Sequence, residues 1–228
     1  MNNIQHAIQT IQKQIRDDAI RYHREPSSVS LLAVSKKQPI EKIQEAICAG
    51  QVAFGENYLQ EALGKIAALS NEQIEWHFIG PIQGNKTKKI AEYFAWAHTI
   101  SDIKIAKRLN DQRPAHLPPL NICIQVNSSS EKTKSGIEPD NILSLAEYCT
   151  ILPRLTLRGL MTIPAPKNTF DEQRAEFHKL RLIYDQLNQA GFKLDTLSMG
   201  MSNDREAAIA EGATFVRIGT AIFGERGK

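Results

Sequence analysis

The chain has 228 residues, 42% of them hydrophobic and 23% charged. These are globular proportions, and they exclude a disordered or collagen-like chain. The net charge of +3, from 28 Lys and Arg against 25 Asp and Glu, is too small for the basic surface of a nucleic-acid binder.

A helix is predicted first. Ile4, Ile8, Ile11, Ile15 and Ala19 recur at helical spacing among Gln, Lys and Arg, and Pro26 stops the segment. Residues 30–35 then predict a strand, whose Leu-Leu-Ala-Val is apolar on both faces, as in a buried parallel sheet. The pattern alternates from there. A helix over 39–49 has Pro39 in its first turn and Gly50 beyond its end. A strand over 52–54 and a helix over 58–69 follow. The strand 75–79 leads to Gly80-Pro81, where Pro81 suits the first turn of a helix reaching Phe94. A strand over 95–100 precedes a helix from Ser101 with Asp102 in its first turn. After Pro118-Pro119 come a strand over 121–126, a polar loop over 127–136 and a helix over 139–149. The strand 156–161 leads through the loop 163–168 to a helix carrying Phe170, Phe177, Leu180, Tyr184 and Leu187 on one face and ending at Gly191. A strand over 196–199 precedes a helix opened by Ser202 or Asn203, with Glu206 placed to close a capping box with Asn203 and Gly212 at its end. The last strand is 214–218.

Eight strand–helix units after one preliminary helix predict an α/β protein: a single (β/α)8 TIM-type barrel domain over 1–228 with an extra N-terminal helix. The alternative is an open doubly wound sheet. That fold usually carries a Gly-rich fingerprint after its first strand, and Leu31 to Lys36 has no glycine.

The three cysteines, Cys48, Cys123 and Cys149, are odd in number and lack C-x-x-C spacing. A disulfide framework and a zinc site are not expected, and a reducing compartment fits. The six histidines show no metal-ligand spacing such as H-E-x-x-H. The N-terminal Met-Asn-Asn-Ile-Gln-His has no apolar h-region. No apolar run approaches the ~20 residues of a membrane span. A soluble cytoplasmic protein without membrane or nucleic-acid partners is expected.

A barrel places its active site at the C-terminal strand ends, often binding phosphate after the last two strands. Gly219-Thr220 ends one strand and enters a short helix, where free N–H groups suit a phosphate dianion. Gly200 and Ser202 in the preceding loop add a close backbone approach and a hydroxyl. Tight turns with a serine cap would leave the same signature. Gly219 to Gly224 has Walker A spacing, but Glu225-Arg226 follows where Lys-Ser/Thr is required, which excludes a P-loop. Lys36 directly follows a buried apolar strand, where desolvation depresses an amine pKa and allows a Schiff base with a carbonyl. A solvated strand-end lysine is the alternative. Arg217 lies two residues before Gly219 and points to the same side, either as a ligand contact or in a buried ion pair. His77 is a ligand group or a satisfied core residue. Met161, Met199 and Met201 read as core fillers.

The segments Leu-Leu-Ala-Val-Ser-Lys (31–36), Phe-Gly-Glu-Asn-Tyr (54–58), Trp-His-Phe-Ile-Gly (76–80), Lys-Ser-Gly-Ile (134–137), Arg-Gly-Leu-Met (158–161), Ser-Met-Gly-Met-Ser (198–202) and Val-Arg-Ile-Gly-Thr-Ala-Ile-Phe-Gly (216–224) resemble the pyridoxal 5′-phosphate homeostasis protein family. The resemblance runs from about residue 5 to the C-terminus. It implies a barrel like the N-terminal domain of alanine racemase. It also implies pyridoxal 5′-phosphate (PLP) bound as a Schiff base on Lys36. By the same resemblance Ser202, Gly219 and Thr220 hold the phosphate and Arg217 faces the pyridine nitrogen. Asn57, His77 and Met201 line the pocket, and Lys134 is a second lysine involved in cofactor transfer. Lys37-Gln38 departs from the commoner family pattern, outside the pocket.

The implied function is a non-enzymatic carrier in intracellular PLP homeostasis that supplies cofactor to apo-enzymes and works as a monomer. The alternative is a PLP-dependent amino-acid racemase of weak activity. A racemase of the alanine type needs a second acid/base from a C-terminal β-domain and a partner chain, and this sequence is expected to lack that domain. A third class is a Schiff-base aldolase acting on a sugar phosphate.

Overall fold

The computed structural model describes residues 4–128 and 135–225. Helix α1 (Ile4–Arg21) leads into β1 (Ser30–Val34), α2 (Ile40–Cys48), β2 (Ala53–Glu56), α3 (Leu59–Ala68) and β3 (Glu75–Phe78). Then follow α4 (Thr87–Tyr93), β4 (Trp96–Ile100), α5 (Ile103–Gln112), β5 (Leu120–Gln125), α6 (Ile142–Thr150) and β6 (Leu155–Met161). The chain finishes with α7 (Phe170–Gln189), β7 (Thr196–Ser198), α8 (Arg205–Ala210), β8 (Phe215–Ile218) and α9 (Thr220–Phe223). Each strand pairs in parallel with the next, and β8 pairs with β1, closing an eight-stranded barrel. The open sheet is thereby excluded.

Alternation along each strand sorts the side chains into two layers. Leu31 and Ala33 join Phe54, Trp76, Phe78 and Ala97 in the large apolar layer between barrel and helices. Residues of the opposite parity face the lumen, where Trp96, Cys123 and Met161 pack with Phe215 near its N-terminal end. A bulge in the β5–β6 ladder changes parity once. Ile122 pairs with Leu157 and Cys123 with Gly159, so Arg158 is passed over, and its guanidinium lies 4.9 Å from the Trp96 ring centroid.

The extra helix has a structural task. The helix after β8, α9, is a single turn and covers little of the closing seam. Helix α1 fills the gap, packing on α2, α8 and α9 with Ile4, Ile8, Ile11, Ile15 and Ala19 all buried. Asp18 pairs with Arg205 Nε at 2.8 Å. Just beyond α1, Arg24 Nη1 donates to the carbonyls of Ile209 and Ala213 at 2.9 and 2.7 Å.

Two expected helix starts are corrected. Residues 81–86 form a loop rather than the first turn of α4, which begins at Thr87. Gly84 costs a helix about 1 kcal/mol relative to Ala, and its carbonyl instead accepts from Thr87 Oγ1 at 2.9 Å. No capping box forms between Asn203 and Glu206, because Asp204 occupies the N-cap of α8. Glu206 turns to Arg21 Nη1 and the Tyr22 hydroxyl, at 2.6 and 3.0 Å. The capping box lies at Thr169–Glu172, at the start of α7. Among the described residues no helix is long and apolar enough to cross a membrane, and no cluster of His, Cys, Asp and Glu could hold a metal.

Ile8 is wholly buried under α1. Ile8→Ala should cost about 2–5 kcal/mol, as large-to-small core changes do, and lower the urea midpoint of unfolding. A midpoint equal to wild type would show that α1 contributes nothing to closing the seam.

Candidate functional site

Because β8 lies beside β1, the residues that follow these two strands meet. A cavity of about 150 Å3 opens there, and Lys36, Asn57, Met201, Ser202, Arg217, Gly219 and Thr220 all line it. A second hollow of about 510 Å3 shares Asn57, Ile79, Ile163 and Met201 with it and reaches Thr99 and Gln125. A comparable groove of about 450 Å3 lies at the other end of the barrel against α1, away from this convergence of polar groups. Lys134 lies outside the described residues.

The turn carrying Lys36 is held from behind. Ser35 is fully buried and its hydroxyl donates to Glu56 Oε1 at 2.6 Å. Lys65 Nζ donates to the Ser35 carbonyl and to Glu56 Oε1, each at 2.7 Å, and to Glu61 Oε1 at 2.5 Å. Glu61 Oε1 also accepts the Lys37 backbone N–H at 2.5 Å, which stabilises Lys37 at φ +58°. Burial pushes the Glu56 carboxyl above its usual range, with Lys65 and Ser35 pulling it back. These contacts fix the backbone on both sides of Lys36.

Asn57 is placed by a close approach. A Cβ on Gly80 would lie 2.2 Å from the Asn57 carbonyl oxygen, so only glycine lets the two loops touch. The Gly80 carbonyl accepts from Thr99 Oγ1 at 2.6 Å. Asn57 Oδ1 is buried and has no hydrogen-bond partner among the described residues. Such a group costs about 1–3 kcal/mol unless something donates to it.

On the far side Gly219 precedes α9, whose first N–H groups have no intrahelical acceptor. Thr220 and Ser202 are exposed beside them. Gly200 has φ +92°, and its carbonyl accepts the Arg217 N–H at 2.9 Å, tying the two loops together. The Met201 N–H donates to Asp204 Oδ1 at 2.6 Å. The first α9 N–H groups and the Thr220 and Ser202 hydroxyls together suit an anion.

Arg217 is 5% exposed. Its Nη1 donates to Ser198 Oγ and its Nη2 to the Thr162 carbonyl, both at 2.9 Å. Burial pulls the guanidinium down to about 10, with the charge of Asp204 opposing the shift, so it stays cationic at neutral pH. Among the described ion pairs none involves Arg217, which removes the ion-pair reading.

His77 does not line the cavity. It is fully buried in the lumen, with Nδ1 2.9 Å from His98 Nε2 and Nε2 2.8 Å from Glu75 Oε1. Its ring stacks on Trp96 at 5.4 Å between centroids. The expectation that His77 contacts the ligand is corrected to a core histidine satisfied by its neighbours. His98 was missed by sequence reasoning, although it shares the lumen parity of Trp96. Its Nδ1 lies 2.8 Å from Ser198 Oγ. Burial holds His77 below the usual histidine range and His98 well below it.

The alanine racemase N-terminal domain family matches residues 3–227. A Pseudomonas aeruginosa protein named pyridoxal phosphate homeostasis protein is 54% identical over 226 residues, covering 99% of this chain and 97% of that one. This chain belongs to the pyridoxal phosphate homeostasis protein family. PipY of Synechococcus elongatus, solved with PLP bound, is 34% identical at a TM-score of 0.86, with 97% of this chain and 100% of that one covered. An alanine racemase from Clostridium difficile, at 13% identity and a TM-score of 0.76, matches across 100% of this chain and 61% of its own. That last likeness is one of fold.

Two measurements check this homeostasis-family barrel. Lys65→Ala strands the buried Glu56 and should cost about 3–5 kcal/mol, as breaking a buried pair does, in urea unfolding. For His77 and His98, depressed pKa values mean that below about 6.5 the unfolded chain binds protons the folded one refuses. Their contribution is therefore present above that pH and lost as pH falls toward the folded-state values. His98→Asn should lose less stability than wild type between pH 7.5 and 5.5.

Proposed function

We propose that this chain binds PLP in the cavity between β1 and β8 and acts in intracellular PLP homeostasis. In this reading it carries the cofactor as a Schiff base on Lys36 and supplies it to apo-enzymes. The observation that carries the reading is the meeting of an amine and an anion-binding turn in one cavity. PLP presents an aldehyde and a phosphate on one small ring. The cavity offers a lysine to the first and the Ser202, Gly219 and Thr220 donors to the second. Asn57, whose buried Oδ1 has no partner among the described residues, and Met201 complete the cavity lining. The PLP-bound PipY and the naming of the relatives support the same cofactor.

Lys36 condenses with the aldehyde, losing one water, and the return of water releases the cofactor. Arg217 is cationic at neutral pH and only donates hydrogen bonds. Opposite the pyridine nitrogen it would disfavour a proton there, which makes the ring a weaker electron sink. The naming of close relatives for homeostasis rather than for a reaction supports a carrier over the racemase alternative. Lys134 serves in this reading as the second lysine involved in cofactor transfer. A monomeric, cytoplasmic, single-domain protein completes the proposal.

Incubation with PLP, borohydride reduction and peptide mapping test it. The expected result is a visible absorbance band and a pyridoxyl adduct on Lys36, both lost in a folded Lys36→Ala variant. An undiminished adduct in that variant moves the anchor to another lysine. A colourless protein that takes up no PLP overturns the reading and favours the sugar-phosphate Schiff-base enzyme.

A further inference from the structure

A line of polar groups crosses the barrel lumen beneath the cavity. It starts at Glu75, at the N-terminal mouth, with a side chain 43% exposed. It continues through His77, His98 and Ser198, all fully buried, and ends at Arg217 on the cavity wall. The four successive contacts measure 2.8, 2.9, 2.8 and 2.9 Å. Every link has hydrogen-bond length.

The two ends fix the protons between them. A guanidinium can only donate and an ionised carboxylate can only accept. Arg217 Nη1 therefore donates to Ser198 Oγ, and the Ser198 hydroxyl donates to His98 Nδ1. His98 Nε2–H then donates to His77 Nδ1, and His77 Nε2–H to Glu75. With burial favouring the neutral form of both imidazoles, this pattern places their hydrogens on Nε2. Rotation is blocked by Trp96, stacked on His77 at an interplanar angle of 5°, and by Phe215, edge-on to both rings. At the mouth, Arg158 reaches over Trp96 and is held by Asp195 at 2.7 Å. The charge on Arg217 is thus connected to a carboxylate at the opposite end of the barrel through groups that no cavity ligand touches.

We propose that Glu75, His77, His98 and Ser198 are positioning residues that form a one-way hydrogen-bond relay, orienting Arg217 toward the cofactor cavity and tying its donor strength to Glu75. The relay is a property of the chain alone, and its effect on cofactor rests on the PLP reading given above.

Nitrogen-15 NMR of the imidazoles in the cofactor-free protein tests the relay directly. Nε2–H tautomers at both histidines are expected. Glu75→Leu removes the acceptor and should abolish that fixed polarity. In the PLP-loaded protein it should move the visible band and weaken binding about threefold to tenfold, the range of a partly transmitted charged hydrogen bond. Glu75→Gln keeps an acceptor oxygen and should restore the tautomers with a smaller spectral shift. An Nδ1–H tautomer at either histidine of the wild type overturns the relay. So does a Glu75→Leu protein with unchanged tautomers and unchanged visible band. Should Glu75→Leu fail to fold, the wild-type tautomers and Glu75→Gln decide. A wild type that takes up no PLP while showing both Nε2–H tautomers would sink the function and leave the relay standing.

Discussion

The pairing of β8 with β1 is the constraint on which the site rests. Ser30 lies opposite Phe215, Leu32 opposite Arg217 and Ala33 opposite Ile218. Neighbouring strands stand about 4.8 Å apart, so two stretches at opposite ends of the sequence end side by side. Lys36 leaves one of them and Gly219-Thr220 leaves the other. A Cβ on Gly219 would already lie 3.1 Å from the Val34 carbonyl oxygen, which shows how closely the two strand ends approach. Neither half of the cavity exists without this seam, and α1 is the helix that covers it.

Around that seam the protein keeps an unusual amount of polarity inside, and satisfies most of it. Barrel interiors are commonly filled by branched apolar side chains. Here the lumen holds two histidines, a serine and an arginine, each hydrogen-bonded. Outside the lumen a buried lysine holds two glutamates. An isolated charge in either place would be costly, and pairing offsets that cost. One group lies outside the barrel and the other inside it. One fixes the turn of Lys36, the other fixes the guanidinium of Arg217. Both supports are formed before any ligand arrives, which is the arrangement a preorganised site requires.

Much of the fold was legible because its signals are local. Strand–helix alternation, the apolar stripe of α1 and the glycines closing α2, α7 and α8 are all read from neighbouring residues. The strand ends were legible for the same reason, and topology then brought Lys36, Ser202, Arg217 and Gly219 into one cavity. What escaped depends on partners remote in sequence. The start of α4 was misplaced because Pro81 is permissive at a helix start without requiring one. No capping box forms at Asn203, because Asp204 takes the N-cap and Arg21 and Tyr22, more than 180 positions away, hold Glu206. His77 was assigned to the pocket by resemblance, although parity alone only places it in the lumen. Its height along the barrel, and the histidine one strand over that satisfies it, are three-dimensional facts.

The α1 seam also sets an order of events during folding. Two partners of the first helix, α8 and α9, come far later in the chain, and the Asp18–Arg205 contact spans 187 residues. Such non-local closure is slow, because loop entropy is lost before the contact is gained. On the ribosome, the part of the α1 stripe that packs on α8 and α9 therefore stays uncovered until those helices have emerged, a sticky surface of the kind that recruits chaperones. The cavity is correspondingly a late product, because it cannot form before β8 and α9 have been made.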